Sequence, residues 1–341
     1  MMFHLAVVSW NLPNLSPNYG VMGAPQYPEL AFLDVGWVGV EIFFVLSGLV
    51  IAQSANGKSA FHFARNRLGR LLPAVWICST ITFIVVLAFE MDSTETAIPN
   101  YIRSLVIHRN GPWISGVYWT LAVETFFYGT IFLLLWFDAF KHIEKFAILL
   151  GIYSCVYLVG VSCFGWHRIS AHFLGQHGCF FSLGILIWLC SEIGITLVRL
   201  VFFLAFLAAA VLEICTIGNG VLAGYELWAV PAVWLASIVA IVVSVFFGKE
   251  GTTLTGQLGL MTYPLYLVHD QFGCGILRLS IWTGKYFALG LAAAMMLGLS
   301  WIVVQVEPPI RKLIENSFDW IGENLIPSCL IRSLARNGAK V

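Results

Sequence analysis

The chain has 341 residues, of which 59% are hydrophobic and only 11% are charged. Soluble domains carry about 25% charged residues, so this composition is typical of a protein embedded in a bilayer. The 18 basic and 18 acidic residues cancel, and no basic stripe is present, which excludes a nucleic-acid-binding protein. The eight cysteines lie mostly in apolar runs without a Cys-x-x-Cys pair, which excludes a disulfide scaffold.

Nine apolar stretches are long enough to cross a bilayer, since about 20 apolar residues span its hydrocarbon core as a helix. Residues 1–10 are also apolar, but they are too few to span and lack the basic start and cleavage site of a signal peptide. The sequence therefore predicts an all-α, polytopic transmembrane helical bundle with nine full spans and a partial first span. The full spans are predicted at 35–53, 71–90, 114–137, 146–164, 172–190, 198–217, 227–247, 257–279 and 286–306.

The distribution of Lys and Arg predicts the orientation of these spans, because cytoplasmic loops carry the excess of basic residues. Residues 11–34 contain no Lys or Arg and are assigned to the outer side. Thirteen basic residues then fall on the inner side and five on the outer side, which predicts a cytoplasmic C-terminus. We predict one membrane domain, residues 1–312, followed by a cytoplasmic tail, residues 313–341.

Ionisable side chains inside apolar spans are costly to bury and are usually functional or paired. Glu90, Glu213 and Asp270 lie near predicted span ends, where a side chain reaches water easily, and we expect them to do so. Glu41 and Glu124 lie between apolar and aromatic stretches and are the stronger candidates. Each could also be a buried carboxylate that joins two helices by hydrogen bonds.

Two further patterns point to chemistry near Glu124 and in the N-terminal stretch. Thr120 and Tyr128 stand four residues on either side of Glu124, so the three side chains share one helix face. His4 is the side chain best suited to take a proton from a hydroxyl near neutral pH. A lone histidine on an apolar face can equally be a packing residue.

A basic segment precedes the second span. Arg67 and Arg70 are three residues apart and project from one side of a helix, where two guanidinium groups can bind phosphate oxygens. The same residues could instead be an anchor that obeys the positive-inside rule. His167, His172 and His177 are spaced by five, which fits no standard metal site, and no metal is expected.

At these segments the sequence resembles the membrane acyltransferase-3 family, the polytopic enzymes that acylate bacterial surface sugars and related molecules. His4 matches the histidine that ends the family's first span, and five further elements follow in the family's order. They are Gly36-Trp-Val-Gly-Val-Glu41-Ile-Phe-Phe-Val-Leu-Ser47-Gly48, Phe63-Ala-Arg-Asn-Arg67-Leu-Gly-Arg70-Leu-Leu-Pro73, Tyr118-Trp119-Thr-Leu-Ala-Val-Glu124-Thr-Phe-Phe-Tyr128, Thr262-Tyr-Pro-Leu-Tyr-Leu-Val-His269 and Val306-Glu-Pro-Pro-Ile-Arg311.

The resemblance implies acyl transfer from acyl-coenzyme A, most simply acetyl-coenzyme A, to a hydroxyl group of a cell-surface or exported glycan, in the bacterial inner membrane. His4 would be the general base or a transient acyl carrier, and Glu41 or Glu124 would orient it. Arg67 and Arg70 would hold the phosphates of coenzyme A at the cytoplasmic side. The remaining residues that the family places in the site as lining are Trp119, Tyr128 and His269.

The sequence departs from the family in three places. The family's full first span and its upstream Arg-Gly pair are not found, so we expect a shortened N-terminus where the complete family form has ten spans. Glu41 replaces a common aspartate, and Thr125 replaces a common acidic residue. Two alternatives stay open: a proton-coupled transporter or flippase with a relay of Glu41, Glu124 and His269, which lacks a visible inverted repeat, and a truncated interaction protein.

Overall fold

The computed structural model describes residues 1–8, 27–165, 173–221, 228–248, 251–279 and 283–325. These ranges hold eleven α-helices and no strand, together with a π-helical segment at His4–Val8 and 3₁₀-helical segments at Pro28–Val38, Gly116–Tyr118 and Phe140–His142. The α-helices are α1 (Gly39–Ala55), α2 (Ala60–Ala88), α3 (Thr94–Leu105), α4 (Trp119–Trp136), α5 (Ile143–Phe164), α6 (Phe173–Ile193), α7 (Leu197–Val221), α8 (Ala229–Phe247), α9 (Thr253–Val268), α10 (Gln271–Leu279) and α11 (Lys285–Leu325).

Eight helices in the described ranges are long and apolar enough to cross a membrane, and they coincide with eight of the nine predicted spans. The all-α, multi-span fold is therefore confirmed. The ninth predicted span, 257–279, is divided instead into α9 and α10, which have 16 and 9 residues. The helix is interrupted between them at His269 and Asp270. The count of nine full spans and a partial one is therefore not confirmed.

The last helix, α11, continues well beyond its apolar part. It has 41 residues and passes through Pro308 and Pro309 without ending, although proline removes a backbone donor and usually kinks or ends a helix. The predicted boundary at residue 312 falls inside this helix. That boundary stays a prediction.

The described residues form two compact units, and each is described by itself. The first comprises Met1–Gly36, Arg65–Ala122 and Gly251–Trp320. One apolar core in it surrounds the buried Tyr118, and another surrounds the buried Tyr27. These cores fix the N-terminal turn and the break between α9 and α10 within one unit.

The second unit comprises the described residues within Trp37–Ala64, Val123–Glu250 and Ile321–Val341. At its centre α1 packs against α6 with the two backbones in contact. A Cβ atom added at Gly48 would lie 2.2 Å from the carbonyl oxygen of Phe181, and one added at Gly184 would lie 2.0 Å from that of Val45. Glycine is required at both positions because small residues let apolar helices approach this closely.

Candidate active site

Two histidines that are far apart in the sequence meet in the first unit. His4 begins the N-terminal π-helical turn, and His269 lies at the break between α9 and α10. Nδ1 of His4 is 3.0 Å from Nε2 of His269, and their rings are nearly perpendicular, at 76°. His269 is buried, with 2% of its surface exposed, whereas His4 is partly buried.

Tyr266 holds His269 in this orientation. Nδ1 of His269 is 2.6 Å from the carbonyl oxygen of Tyr266, one turn earlier in the helix. The hydroxyl group of Tyr266 donates to the carbonyl oxygen of Val117 at 2.8 Å and contacts the hydroxyl of Thr120 at 2.7 Å. The end of α9 is therefore tied to the start of α4 beside the two histidines.

These contacts decide where the ring protons lie. A carbonyl oxygen can only accept, so Nδ1 of His269 carries the hydrogen of that bond. A second ring proton would give His269 a positive charge, which is costly to bury. Nε2 of His269 is therefore the acceptor, and Nδ1–H of His4 is the donor. The neutral His4 then keeps an unprotonated Nε2, which is the atom that a general base or a nucleophile needs.

Glu41 lies in the second unit, where its partner is His177. Oε2 of Glu41 is 3.6 Å from Nδ1 of His177, and each side chain is 4% exposed. The ring of Phe44 packs on the imidazole with centroids 4.7 Å apart. The spacing of the three histidines predicted no metal site, and His177 had no other predicted role. The signal that marks His177 is its position as an ionisable group inside an apolar span. His167 and His172 lie outside the described residues.

Glu124 is also in the second unit and accepts hydrogen bonds from two hydroxyl groups. Ser47 of α1 donates to its Oε1 at 3.1 Å, and Tyr128 donates to the same oxygen. The hydrogen bond agrees with the prediction that Glu124 and Tyr128 share one helix face. Thr120 instead directs its hydroxyl to Val117 and Tyr266 in the first unit. Ser47 was part of the recognised signature but had no predicted role.

Two carboxylates that we expected near water are buried. Glu213 has no exposed surface and accepts from Nε2 of Gln176 at 3.1 Å. Asp270 is 1% exposed and accepts from the hydroxyl of Ser115 at 2.8 Å. The interpretation of these two as exposed span-end residues was wrong, because neighbouring helices cover both positions. Glu90 is exposed as expected.

The basic segment lies in the first three turns of α2. Arg65 is already paired, with Nε 2.7 Å from Oδ1 of Asp319 and an NH2 group 2.8 Å from its Oδ2. Arg70 is exposed and Arg67 is half-buried. Trp119 is half-buried at the start of α4.

Within the described ranges, no three His, Cys, Asp or Glu side chains are grouped as metal ligands would be. The predicted site residues are divided between the two units. His4 and His269 are in contact in the first unit, which also holds Arg67, Arg70 and Trp119. The second unit holds Glu124 with Tyr128, and Glu41 with His177.

The sequence profile of the acyltransferase-3 family, described as an acyltransferase domain, matches residues 4–306. The chain belongs to this family. The match begins at His4 and includes every predicted site residue, so the family inferred from the six motifs is confirmed. The predicted enzyme class, an acyltransferase, is confirmed with it.

One relative of the acyltransferase-3 chain is an O-acetyl transferase of Shigella phage Sf6, which is 28% identical over 126 residues. The alignment covers 32% of this chain and 38% of the phage protein. The chain is thus matched to well under half of that relative's length. No solved structure matches the chain.

Proposed function

We propose that the protein is an integral membrane acyltransferase that moves an acyl group, most simply acetyl, from acyl-coenzyme A to a hydroxyl group of a cell-surface or exported glycan. The observation that carries this proposal is the series of contacts from His4 through His269 to the carbonyl of Tyr266, in a chain whose family match starts at His4. The similarity to a phage O-acetyl transferase supports acetyl as the group and oxygen as the acceptor atom.

In the proposed reaction, Nε2 of His4 removes the proton of the acceptor hydroxyl as its oxygen attacks the carbonyl carbon of the thioester. The carbon–sulfur bond breaks, and the coenzyme A thiolate leaves and takes the proton from His4. His269 supports both steps, because its Nε2 accepts from Nδ1–H of His4 and that bond strengthens when His4 becomes positive. A route in which Nε2 of His4 itself carries the acyl group needs the same lone pair.

Arg67 and Arg70 are proposed to hold the phosphates of coenzyme A. A guanidinium group can bind two phosphate oxygens at once. The neighbouring Arg65 is already paired with Asp319. The catalytic role proposed for Glu41 and Glu124 is motivated by the family resemblance and not by a measured contact with His4. The same holds for the lining roles of Trp119 and Tyr128.

The proposed location is the bacterial inner membrane, with the lipid bilayer as surroundings and the C-terminus in the cytoplasm. The bias of Lys and Arg supports this orientation, which puts Arg67 and Arg70 on the side where coenzyme A is made. Residues 1–312 would be the membrane domain and residues 313–341 the cytoplasmic tail.

The test is transfer of radiolabelled acetyl from acetyl-coenzyme A by the purified protein to a hydroxyl-rich glycan acceptor. His4→Ala is expected to lower the rate by at least about 10²-fold, the usual contribution of a general base. His142→Ala changes an exposed histidine and should leave the rate unchanged. Absence of transfer, combined with proton-coupled solute uptake into vesicles, would support the transporter hypothesis instead.

A further inference from the structure

α3 runs back along α2, the helix that precedes it. The hydroxyl oxygen of Tyr101 is 2.9 Å from that of Thr80, and the Tyr101 ring stacks on Phe83 with centroids 4.6 Å apart. At the end of α3, the carbonyl oxygen of Leu105 accepts a hydrogen bond from Nε1 of Trp76 at 3.1 Å. The partners on α2 come earlier in the sequence as α3 is followed forward, so the two helices are antiparallel.

The end of α3 lies deep along a helix that can cross the membrane. α2 is long and apolar enough to span a bilayer, and it ends at Ala88. Charged residues follow at Glu90 and Asp92, so Ala88 marks the end of the apolar run. Trp76 precedes Ala88 by 12 residues, which is about 18 Å along the helix axis. The hydrocarbon core is about 30 Å thick, so this distance is more than half of its depth.

The exposed face of α3 is apolar. Ile98 and Ile102 of the helix and Val106 at its C-cap are 43%, 54% and 66% exposed, and their spacing of four places them on one face. These three residues are called the hydrophobic stripe. The exposed polar residues of α3 are confined to its first turn, residues 94–96. A helix at a water-facing surface shows the reverse pattern, with its polar side chains outside.

Small and polar side chains of α3 face the protein instead. Ala97, Asn100 and Ser104 are buried, and Ala97 belongs to the apolar core that surrounds Tyr118. The hydroxyl oxygen of Ser104 accepts a hydrogen bond from the backbone N–H of Ile114 at 2.9 Å, which joins the chain after α3 to the helix. One side of α3 is thus packed into the first unit while the other is apolar and exposed, a pattern that marks contact with lipid or with another protein.

Each backbone carbonyl in the last turn of α3 has a hydrogen-bond donor. The final carbonyls of a helix have no partner within it, and hydrocarbon offers no water to bond them. The backbone N–H groups of Val106, His108 and Ile107 bond to the carbonyls of Ile102, Arg103 and Ser104 at 3.4, 2.8 and 3.1 Å, and the indole of Trp76 bonds to that of Leu105. This pairing is what the end of a helix inside a bilayer requires.

The chain that follows α3 forms a polar tip, residues 108–112, which are exposed and not helical. The carbonyl oxygen of His108 accepts from Nε1 of Trp113 at 2.9 Å, and the backbone N–H of Asn110 donates to Nδ1 of His108 at 3.2 Å. Backbone outside a helix occurs at membrane depth only where protein buries it or where it lines a water-filled cavity. Because the tip is exposed, water is what it requires at this depth.

We propose that residues 94–113 form a re-entrant hairpin, which enters the bilayer from the side where α2 ends and returns to the bundle. The bias of Lys and Arg makes that side the outer one. The hydrophobic stripe contacts the acyl chains of the lipids, and the polar tip lies in a water-filled recess that opens to the outer side. Beyond the tip, the hydroxyl of Ser115 donates to Asp270 at 2.8 Å, so the hairpin ends at the residue after His269. This placement does not depend on acyl transfer.

The first test measures what surrounds single spin labels on the hairpin. The full chain with Cys163→Ser, which removes an exposed thiol, is the parent of four variants: Ile98→Cys, Ile102→Cys, Val106→Cys and Asn110→Cys. Each is labelled with a nitroxide and reconstituted in phosphatidylcholine vesicles, and the labelled parent supplies the background. Electron paramagnetic resonance then gives the collision rates with oxygen, which concentrates among acyl chains, and with a water-soluble nickel chelate. The ratio of oxygen to nickel collisions should rise from Ile98 to Val106, because the stripe descends into hydrocarbon, and should fall again at Asn110.

Two further positions calibrate this ratio. Val239→Cys, 62% exposed near the middle of α8, gives the value for lipid, and Thr94→Cys at the start of α3 gives the value for water. Ile102→Cys should match Val239→Cys, and Asn110→Cys should match Thr94→Cys. A water-like ratio along the whole stripe would overturn the hairpin. Exclusion of both reagents from the stripe would show that protein, such as a second copy of the chain, covers it, and a lipid-like ratio at Asn110 would overturn the recess.

The second test determines the side from which the tip is reached. Bacterial spheroplasts that contain Asn110→Cys or Ile102→Cys are treated with a charged methanethiosulfonate reagent that does not cross the membrane. The thiols left unreacted are then measured with a fluorescent maleimide after the protein is solubilised and denatured. Asn110→Cys should be blocked by the reagent, because water reaches the tip from outside, and Ile102→Cys should stay unreacted, because lipid surrounds it. Protection of Asn110→Cys, or a block of both variants to the same extent, would overturn the proposal.

Discussion

His269 lies 265 residues from His4 in the chain, yet its Nε2 is 3.0 Å from Nδ1 of His4. The contact resembles the orienting bond of a catalytic dyad, except that the second group is an imidazole instead of a carboxylate. The imidazole can fill this role because its other nitrogen is bonded to the carbonyl of Tyr266, which leaves Nε2 as an acceptor.

The first prediction concerns replacement of His269. His269→Ala should lower kcat for acetyl transfer, because His4 loses the acceptor that fixes its tautomer. His269→Gln should recover part of the loss, since its amide can donate to the Tyr266 carbonyl and accept from His4. Steady-state rates with acetyl-coenzyme A check this order. Equal rates for the two variants would show that His269 fills space only.

The second prediction concerns the anchor of that histidine. Tyr266→Phe removes a hydroxyl that donates to the Val117 carbonyl at 2.8 Å, a bond worth about 1 kcal/mol. We expect a several-fold lower kcat with little change in KM, because the orientation of His269 is loosened and no contact to a substrate is lost. Tyr101→Phe, which removes an exposed hydroxyl bonded to Thr80, is the control and should not change kcat.

How far the sequence could predict this fold depends on what hydropathy detects. Eight spans were found because a long apolar run is a local property of the chain. The break at His269 and Asp270 was missed because averaged hydropathy runs smoothly over two short helices. Burial of Asp270 and Glu213 depends on helices distant in the sequence, which no local pattern reveals.

The candidate site was predictable to a similar degree. Motif order predicted His4, His269 and Glu124 as site residues, which stays a prediction, and helix periodicity predicted the face that Glu124 and Tyr128 share. His177 was judged by its spacing from other histidines, whereas its partner is Glu41 on another helix. Contacts between helices that are distant in the sequence depend on how both helices pack, as at Gly48 of α1 and Gly184 of α6, and no local pattern reveals them.

The third prediction concerns Glu124 and its two donors. Ser47→Ala removes one buried hydrogen bond to the carboxylate, and Tyr128→Phe removes another. Each should lower the melting temperature, because a buried carboxylate that loses a donor costs about 1–3 kcal/mol. A double-mutant cycle should give a coupling energy of at least about 0.5 kcal/mol, as both donors serve one oxygen. Strict additivity would contradict this account of the carboxylate.

The fourth prediction separates the arginines of α2. Arg70→Ala and Arg67→Ala should raise KM for acetyl-coenzyme A with a smaller effect on kcat, and the effect should weaken at high salt because phosphate contacts are screened. Arg65→Ala should instead act on stability, and only by about 1 kcal/mol or less, because its partner Asp319 is half exposed. A KM effect confined to Arg65→Ala would reverse this assignment.

The fifth prediction tests the crossing of α1 and α6. Gly184→Ala would put a Cβ 2.0 Å from the carbonyl oxygen of Val45, and a backbone atom cannot move aside as a side chain can. The loss should therefore exceed the about 1–3 kcal/mol typical of overpacked cores. Gly129→Ala on α4 is the matched control, since nothing lies within 4 Å of its added Cβ; it should be neutral or stabilise by up to about 1 kcal/mol. If Gly184→Ala and Gly129→Ala have the same melting temperature, α1 and α6 are not in backbone contact at Gly184.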